Sequence, residues 1–352
     1  MSAVSRKEPI SIKDIARTAN VSHSTVSRAL SNSPLVNPAT AEKIRRIAAE
    51  ANFRPSAVGR SLATGRTYTI GVVAASLTRP FVAEILGGIE EVASQRGYSV
   101  ILASSKGDPE REMAIVQQFE DRRVDGVLLI ASRVRSISSS LLEEMQIPMV
   151  SVDDHQAPNE AGSVFVDNTA ATHAAIRFLS QLGHRRIGYL GDRNGYESNT
   201  LRHDGYRAAL ESLGISYDPR LVVDGDSDAE GGMRAMGQLL AASEPPTAVF
   251  CFNDMTALGA LAAIYQHQLR VPHDVSVVGF EDLPIAAFTQ PPLTTVRQPR
   301  GTIGRIAADT LFAMVSGGKT DRVRALRGEL IVRESTAPPP LTAARKGAPP
   351  VA

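Results

Sequence analysis

Between Ser11 and Ala51 apolar residues recur at helical spacing in three short runs. Ile12, Ile15, Ala16 and Ala19 share one helix face, Val26 and Leu30 a second, and Ile44, Ile47, Ala48 and Ala51 a third. Each run has a start signal. Ser11 with Asp14 three residues on reads as a capping box, and Ser22 caps a helix running to about Leu30. Asn37-Pro38 joins a good cap to a residue preorganised for the first helical position. Asn20-Val21 breaks the first helix from the second, and three short helices with such a tight turn form a helix-turn-helix. In that geometry the second helix enters the major groove, and its outward residues here are His23, Ser24, Thr25, Ser27 and Arg28. Arg28 is able to fork onto guanine. A three-helix protein-binding module with a solvated Arg28 is the rival reading, weakened by how small and polar this second helix is.

From Tyr68 the period changes. Short β-branched strands at Ile70–Val73, Ser99–Ala103 and Val127–Ile130 alternate with amphipathic helices, the first burying Ile85, Ile89, Val92 and Ala93. The rhythm restarts after Asn168 with a helix at 170–182, a strand at 187–190 and a helix at 201–213, then strands at 248–252 and 275–279. Alternating strand and helix predicts parallel sheets covered on both faces, with ligands at the C-terminal strand ends. The fold class expected is an all-α helix-turn-helix head followed by an α/β body with parallel sheets.

Charge separates the same two regions. Residues 1–66 hold 11 Lys and Arg against 4 Asp and Glu, leaving 27 against 33 for the rest, although the whole chain is only +1. A basic head on an acidic body predicts a polyanion as partner of the head alone. One cysteine, Cys251, allows no intramolecular disulfide and no cysteine-based zinc cluster. Residues 1–9 lack the apolar stretch of a signal peptide, and no apolar run approaches the roughly 20 residues of a membrane helix. A cytoplasmic protein with no membrane partner, no metal and no other cofactor is expected.

The run Ile12-Lys13-Asp14-Ile15-Ala16 with Val21-Ser22-His23-Ser24-Thr25-Val26-Ser27-Arg28-Ala29-Leu30 resembles the head of the lactose-repressor (LacI/GalR) family. Phe53-Arg54-Pro55-Ser56-Ala57-Val58-Gly59-Arg60-Ser61-Leu62-Ala63 is similar to that family's hinge helix, except that Gly59 stands where alanine is usual. The resemblance continues to about residue 335 and implies a repressor that binds operator DNA as a homodimer under control of a small, sugar-like effector. It implies a DNA-binding domain over 1–55, a hinge over 56–66 that folds on DNA, and a two-lobed sensor over 67–336 like the periplasmic binding proteins; proline- and alanine-rich composition predicts a disordered tail over 337–352. From the hinge, Ser56, Leu62 and Ala63 are implied DNA contacts, Leu62 wedging into the minor groove. Matching positions also give the effector contacts Phe81, Asp167, Arg202, Asn253, Asp254 and Glu281, the last departing from the family's aspartate. Bland readings stand beside several: Arg202 as a salt-bridged helix residue, Phe81 as core, and Asn253-Asp254 as a helix cap. The lobe crossings implied lie near Asp167-Asn168, near Val296-Arg297-Gln298 and near residue 327.

Enzyme readings find little support. Neither Walker A, nor Gly-x-Ser-x-Gly, nor His-Glu-x-x-His occurs. Asp224-Gly225-Asp226-Ser227-Asp228 starts like a calcium loop but has Ala229 and Ala235 where glycine and glutamate are needed. His184 reads as a turn residue. A transport-type sugar-binding protein is the other rival, set aside because of the helix-turn-helix.

Overall fold

The computed structural model describes residues 10–30, 33–53, 61, 64–132, 145, 147–153, 162–318 and 323–340. The chain divides into two compact units, Met1–Tyr68 and Thr69–Ala352.

The first unit holds α1 (Ile12–Ala19), α2 (His23–Leu30) and α3 (Pro38–Glu50). The Asp14 carboxylate accepts from the Ser11 amide at 3.0 Å and Ser11 Oγ accepts from the Asp14 amide at 3.4 Å, completing the capping box. Asn20 ends α1 in the left-handed region, where asparagine is tolerated. Ser22 Oγ accepts from the Thr25 amide, and Asn37 Oδ1 from the Ala39 amide. Ile15, Val26, Ala29, Ile44 and Ala48 form the core. Ala41 joins it one turn earlier than the predicted stripe, while Ala51 is only half-buried because α3 ends at Glu50.

The second unit is two-lobed. Its first lobe begins with β1 (Thr69–Ala74), α4 (Pro80–Gln95), β2 (Ser99–Ser104), α5 (Pro109–Asp121), β3 (Gly126–Ile130), β4 (Met149–Val152) and β5 (Gly162–Val166). The second follows with α6 (Asn168–Gln181), β6 (Ile187–Asp192), α7 (Glu197–Ser212), β7 (Val222–Gly225), α8 (Ala229–Leu240), β8 (Ala248–Cys251), α9 (Asp254–Gln266), β9 (Ser276–Glu281) and β10 (Thr294–Arg297). α10 (Arg300–Val315) and β11 (Val323–Leu326) return to the first lobe, and β12 (Glu329–Ile331) closes the second. The chain therefore crosses at Asp167, at Gln298-Pro299 and at Arg327-Gly328, the three places the resemblance implied.

The sheets run β11-β5-β4-β3-β1-β2 and β12-β10-β9-β8-β6-β7, and β10–β12 is the one antiparallel pairing among the described strands. Every residue of β3, β4, β8 and β9 is buried, as strands covered on both faces require. α10 finds its place against α4 because Gly88 meets the Gly301 carbonyl and Gly304 meets the Ile85 carbonyl, leaving no room for a Cβ at either. The aspartates at 224–228 serve the fold: Asp226 pairs with Arg193 and Arg234, and Asp228 caps α8. His184 is a buried tie rather than a turn residue, bonded to Thr247, Ser276 and the Ala337 carbonyl. Ala337, assigned to the tail on composition, is thus held to the second lobe; residues 341–352 lie outside the described residues. No helix among the described residues is long and apolar enough to cross a membrane.

Candidate functional site

On α2 the buried residues are Val26 and Ala29, which turns His23, Ser24 and Arg28 outward and leaves Thr25 and Ser27 half-buried. The Ser22 hydroxyl lies 2.8 Å from that of Ser24 and 2.9 Å from that of Thr25. The exposed face of α2 thus carries hydroxyls, an imidazole and a guanidinium with no large apolar side chain. Ser56, Leu62 and Ala63 lie outside the described residues.

In the second unit a narrow cavity opens at the C-terminal strand ends. Ala75 follows β1, Ala131 follows β3, Asp153 follows β4, Phe252 follows β8 and Glu281 ends β9. Three of these have left-handed backbone, Ala131 (φ 51°), Asp153 (φ 63°) and Glu281 (φ 116°), an uncommon conformation for residues with a Cβ. Arg79, Phe81 and Val82 come from the start of α4, and Tyr196, Ser198 and Arg202 from the start of α7.

Arg202 is 2% exposed. Its Nε donates to Asn168 Oδ1 at 2.8 Å and its Nη1 to the Phe252 carbonyl at 2.6 Å. The guanidinium lies over Phe280 at 3.8 Å and Phe252 at 4.7 Å from the ring centroids. Burial lowers its pKa, opposed by the charges of Asp153 and Glu281, yet no carboxylate among the described residues forms an ion pair with it. The fork is fixed in place on one side and left unpaired toward the cavity, as a hydrogen-bonding anchor for a polar ligand requires. Glu281 opposite has its pKa pushed up to about 8, first by burial and then by the nearby Asp254. Arg300, at the start of α10, bonds the Glu281 and Asp282 carbonyls of the second lobe and Glu84 on α4 at 2.7 Å, tying the lobes beside the cavity.

The structure thus brings Phe81, Arg202 and Glu281 together and keeps three other expected contacts out of the lining. Asp167 is exposed and caps α6, accepting from the Ala170 amide at 2.9 Å. Asn253 caps α9 and donates to the Ser227 carbonyl. Asp254 is fully buried behind the wall, accepting from Thr295 and the Leu283 amide, and burial pushes its pKa up to about 7. Sequence reasoning missed Arg79, Asp153, Tyr196 and Ser198. Arg79 precedes Pro80, a helix-start signal, while Tyr196 and Ser198 enter because α7 begins a turn before the predicted 201.

Comparisons with known proteins cover most of the chain. Residues 11–56 match the model for bacterial regulatory proteins of the lacI family, and residues 176–336 that for a periplasmic binding protein-like domain. The chain is 36% identical to the HTH-type transcriptional repressor CytR of Escherichia coli K12, over 96% of this chain and 99% of that one. It is 35% identical to the ribose operon repressor of Haemophilus influenzae, over 92% and 98%. Among solved structures, the Lac repressor dimer bound to operator and the anti-inducer ONPF superposes with a TM-score of 0.85 at 29% identity, covering 94% of this chain and all of that one. The complex of the transcriptional regulator CelR with cellobiose gives 0.70 at 33% identity, over 93% and 99%.

Proposed function

The chain belongs to the lacI family of bacterial regulatory proteins, and from that membership we propose a cytoplasmic transcriptional repressor that binds a pseudopalindromic operator as a homodimer and answers to a small polyhydroxylated effector. One observation carries the sensing half of this reading: the buried Arg202 guanidinium, fixed by Asn168 and Phe252, is presented unpaired to a cavity whose wall draws on both lobes. The carboxylate of Asp153, the carboxyl of Glu281, the Tyr196 hydroxyl and the Phe81 and Phe252 rings supply the polar groups and faces that a sugar-like molecule uses. A ligand touching both lobes favours one lobe arrangement over another by its difference in affinity for the two. The hinge at 56–66 is the element that reads this out on DNA, with Ser56, Leu62 and Ala63 as contacts. His23, Ser24, Thr25, Ser27 and Arg28 read the major groove. The cavity's role is binding, not catalysis, and the names of the relatives support that.

Selection of duplexes from a random pool by the full-length protein, with and without D-ribose or cellobiose, tests the proposal. A two-fold symmetric consensus whose affinity changes with one of the sugars is the expected result. Enrichment of no sequence, or of one without symmetry, overturns it.

A further inference from the structure

Two helices of the second unit start at the cavity, and neither is capped by a side chain. α4 begins after Arg79 and α7 after Tyr196, and in both the capping hydrogen bond is missing. Elsewhere in this unit α5, α6, α8 and α9 are capped by Asp108, Asp167, Asp228 and Asn253, while α10, which follows Pro299, is uncapped. A helix start carries about half a positive charge on its open amides and is a favourable place for an anion. Here two such starts line one cavity, through Phe81 and Ser198 in their first turns.

Two side chains at the same place lack partners. Ser198 is 3% exposed and lines the cavity, and its hydroxyl makes no hydrogen bond among the described residues. Arg79 occupies the α4 cap position, where an acceptor is the usual residue. Its guanidinium lies 4.9 Å over the Tyr196 ring, spanning first lobe to second, and forms no ion pair or hydrogen bond among the described residues. Asp192, whose carboxylate interacts with Arg79 through charge alone, accepts from the Asn194 amide and side chain. With Arg202 the lining holds two guanidinium groups against the carboxyls of Asp153 and Glu281. Burial raises the Glu281 pKa to about 8, which weakens the negative charge facing the two guanidiniums.

Resting on the effector reading above, we propose that the molecule this cavity takes is an acidic one: a polyhydroxylated body bearing a carboxylate or phosphoryl group, held by Arg79, the Ser198 hydroxyl and the Phe81 and Ser198 amides at the two helix starts. The hydroxyls of the body face Arg202, Asp153 and Glu281, and the acidic group sits beneath the Arg79–Tyr196 stack. A neutral sugar satisfies only the first half of this arrangement.

Calorimetric titration of the full-length protein with matched probes decides the matter: D-glucose against D-gluconate, and D-ribose against ribose 5-phosphate. The acid of at least one pair binds tenfold or more tightly than its neutral parent, and which pair shows it separates carboxylate from phosphoryl recognition. Arg79→Asn removes the charge-assisted hydrogen bonds to the acidic group and weakens acid binding by about tenfold to hundredfold, so in that variant the acid-to-neutral ratio falls to near one. Arg79→Lys, which keeps the charge, keeps most of the ratio. Neutral sugars binding as well as their acids, or a preference that survives Arg79→Asn, overturns this inference and leaves the effector reading intact. Binding by none of the four probes overturns both.

Discussion

On α2, His23, Ser24 and Arg28 stand in solvent over a helix that buries only Val26 and Ala29. In the cavity, Arg202 is 2% exposed with two of its three nitrogens committed to Asn168 and Phe252. The first set lies outside the core. The second is part of the fold, and a ligand of the proposed site meets a surface already desolvated. Function and stability therefore separate cleanly on α2 and are entangled in the cavity, and substitutions test this in order of size.

Arg202→Ala carries the largest effect. It removes a large buried side chain and leaves Asn168 Oδ1 and the Phe252 carbonyl without their donor. Cavity formation and orphaned acceptors together cost about 2–4 kcal/mol, several degrees in the melting temperature of the second unit, and effector response is lost as well. Scanning calorimetry with and without effector checks both. A variant that melts with the native protein breaks the entanglement.

Arg28→Ala comes next. A bidentate arginine–guanine contact contributes about 1–3 kcal/mol, so operator affinity falls roughly tenfold to a hundredfold, measured by fluorescence anisotropy. Nonspecific duplex binding falls far less and the melting temperature stays put. Equal loss on both duplexes, or a lower melting temperature, breaks the comparison from the other side.

Glu281 sharpens it through pH. Its pKa in the folded protein, about 8, lies above the usual carboxylate value, so between those two values the folded state holds a proton that the unfolded chain has released. Stability from this group is therefore full at low pH and drains away as pH rises toward 8. Asp254, raised to about 7, acts in the same sense, while Arg202, Arg300 and Arg79 favour the charged form and moderate the effect. Glu281→Gln stays neutral, and its melting temperature relative to the native protein rises from about pH 5.5 to about pH 8.5. A difference that is flat or falls over that range contradicts a buried, protonated Glu281. No exposed group on α2 gives rise to such a dependence.

How much of this was legible in the sequence follows the same division. The three helices and their caps were readable because Ser11, Ser22 and Asn37 act on neighbours two or three residues away. The strands of the body were readable where all their residues are buried, as in β3 and β8. β4 and β5 went unread, and Asp153 with them, because Ser151 and Ser163 shorten their apolar runs. Within the cavity Phe81, Arg202 and Glu281 came from family position. Asp167, Asn253 and Asp254 did not join them, since an acceptor that suits a ligand hydroxyl suits a backbone amide equally well, and helix starts lie closer. Arg79 was hidden for the converse reason: it sits where a cap belongs and does not cap. Ser56, Leu62 and Ala63 remain proposals of the hinge reading.

The smallest effect belongs to the head itself. Asn37 accepts from the Ala39 amide at 3.0 Å, and Pro38 beside it has no amide to satisfy, so one side chain does most of the capping of α3. Asn37→Ala should cost about 1 kcal/mol. That loss falls on a core of small residues, Ala16, Ala19, Ala29, Ala41 and Ala48 around Ile15, Val26 and Ile44, with little apolar area in reserve. Amide hydrogen exchange in the full-length protein should therefore quicken in α1, α2 and α3 together, and not in β1 or β8. Operator affinity weakens by no more than the same amount, roughly fivefold, because Asn37 lies off the reading face and acts only through the folded fraction of the head. A loss of affinity as large as that of Arg28→Ala would mean that α2 and its partner surface are not separable from the fold after all, and the contrast with the cavity would disappear.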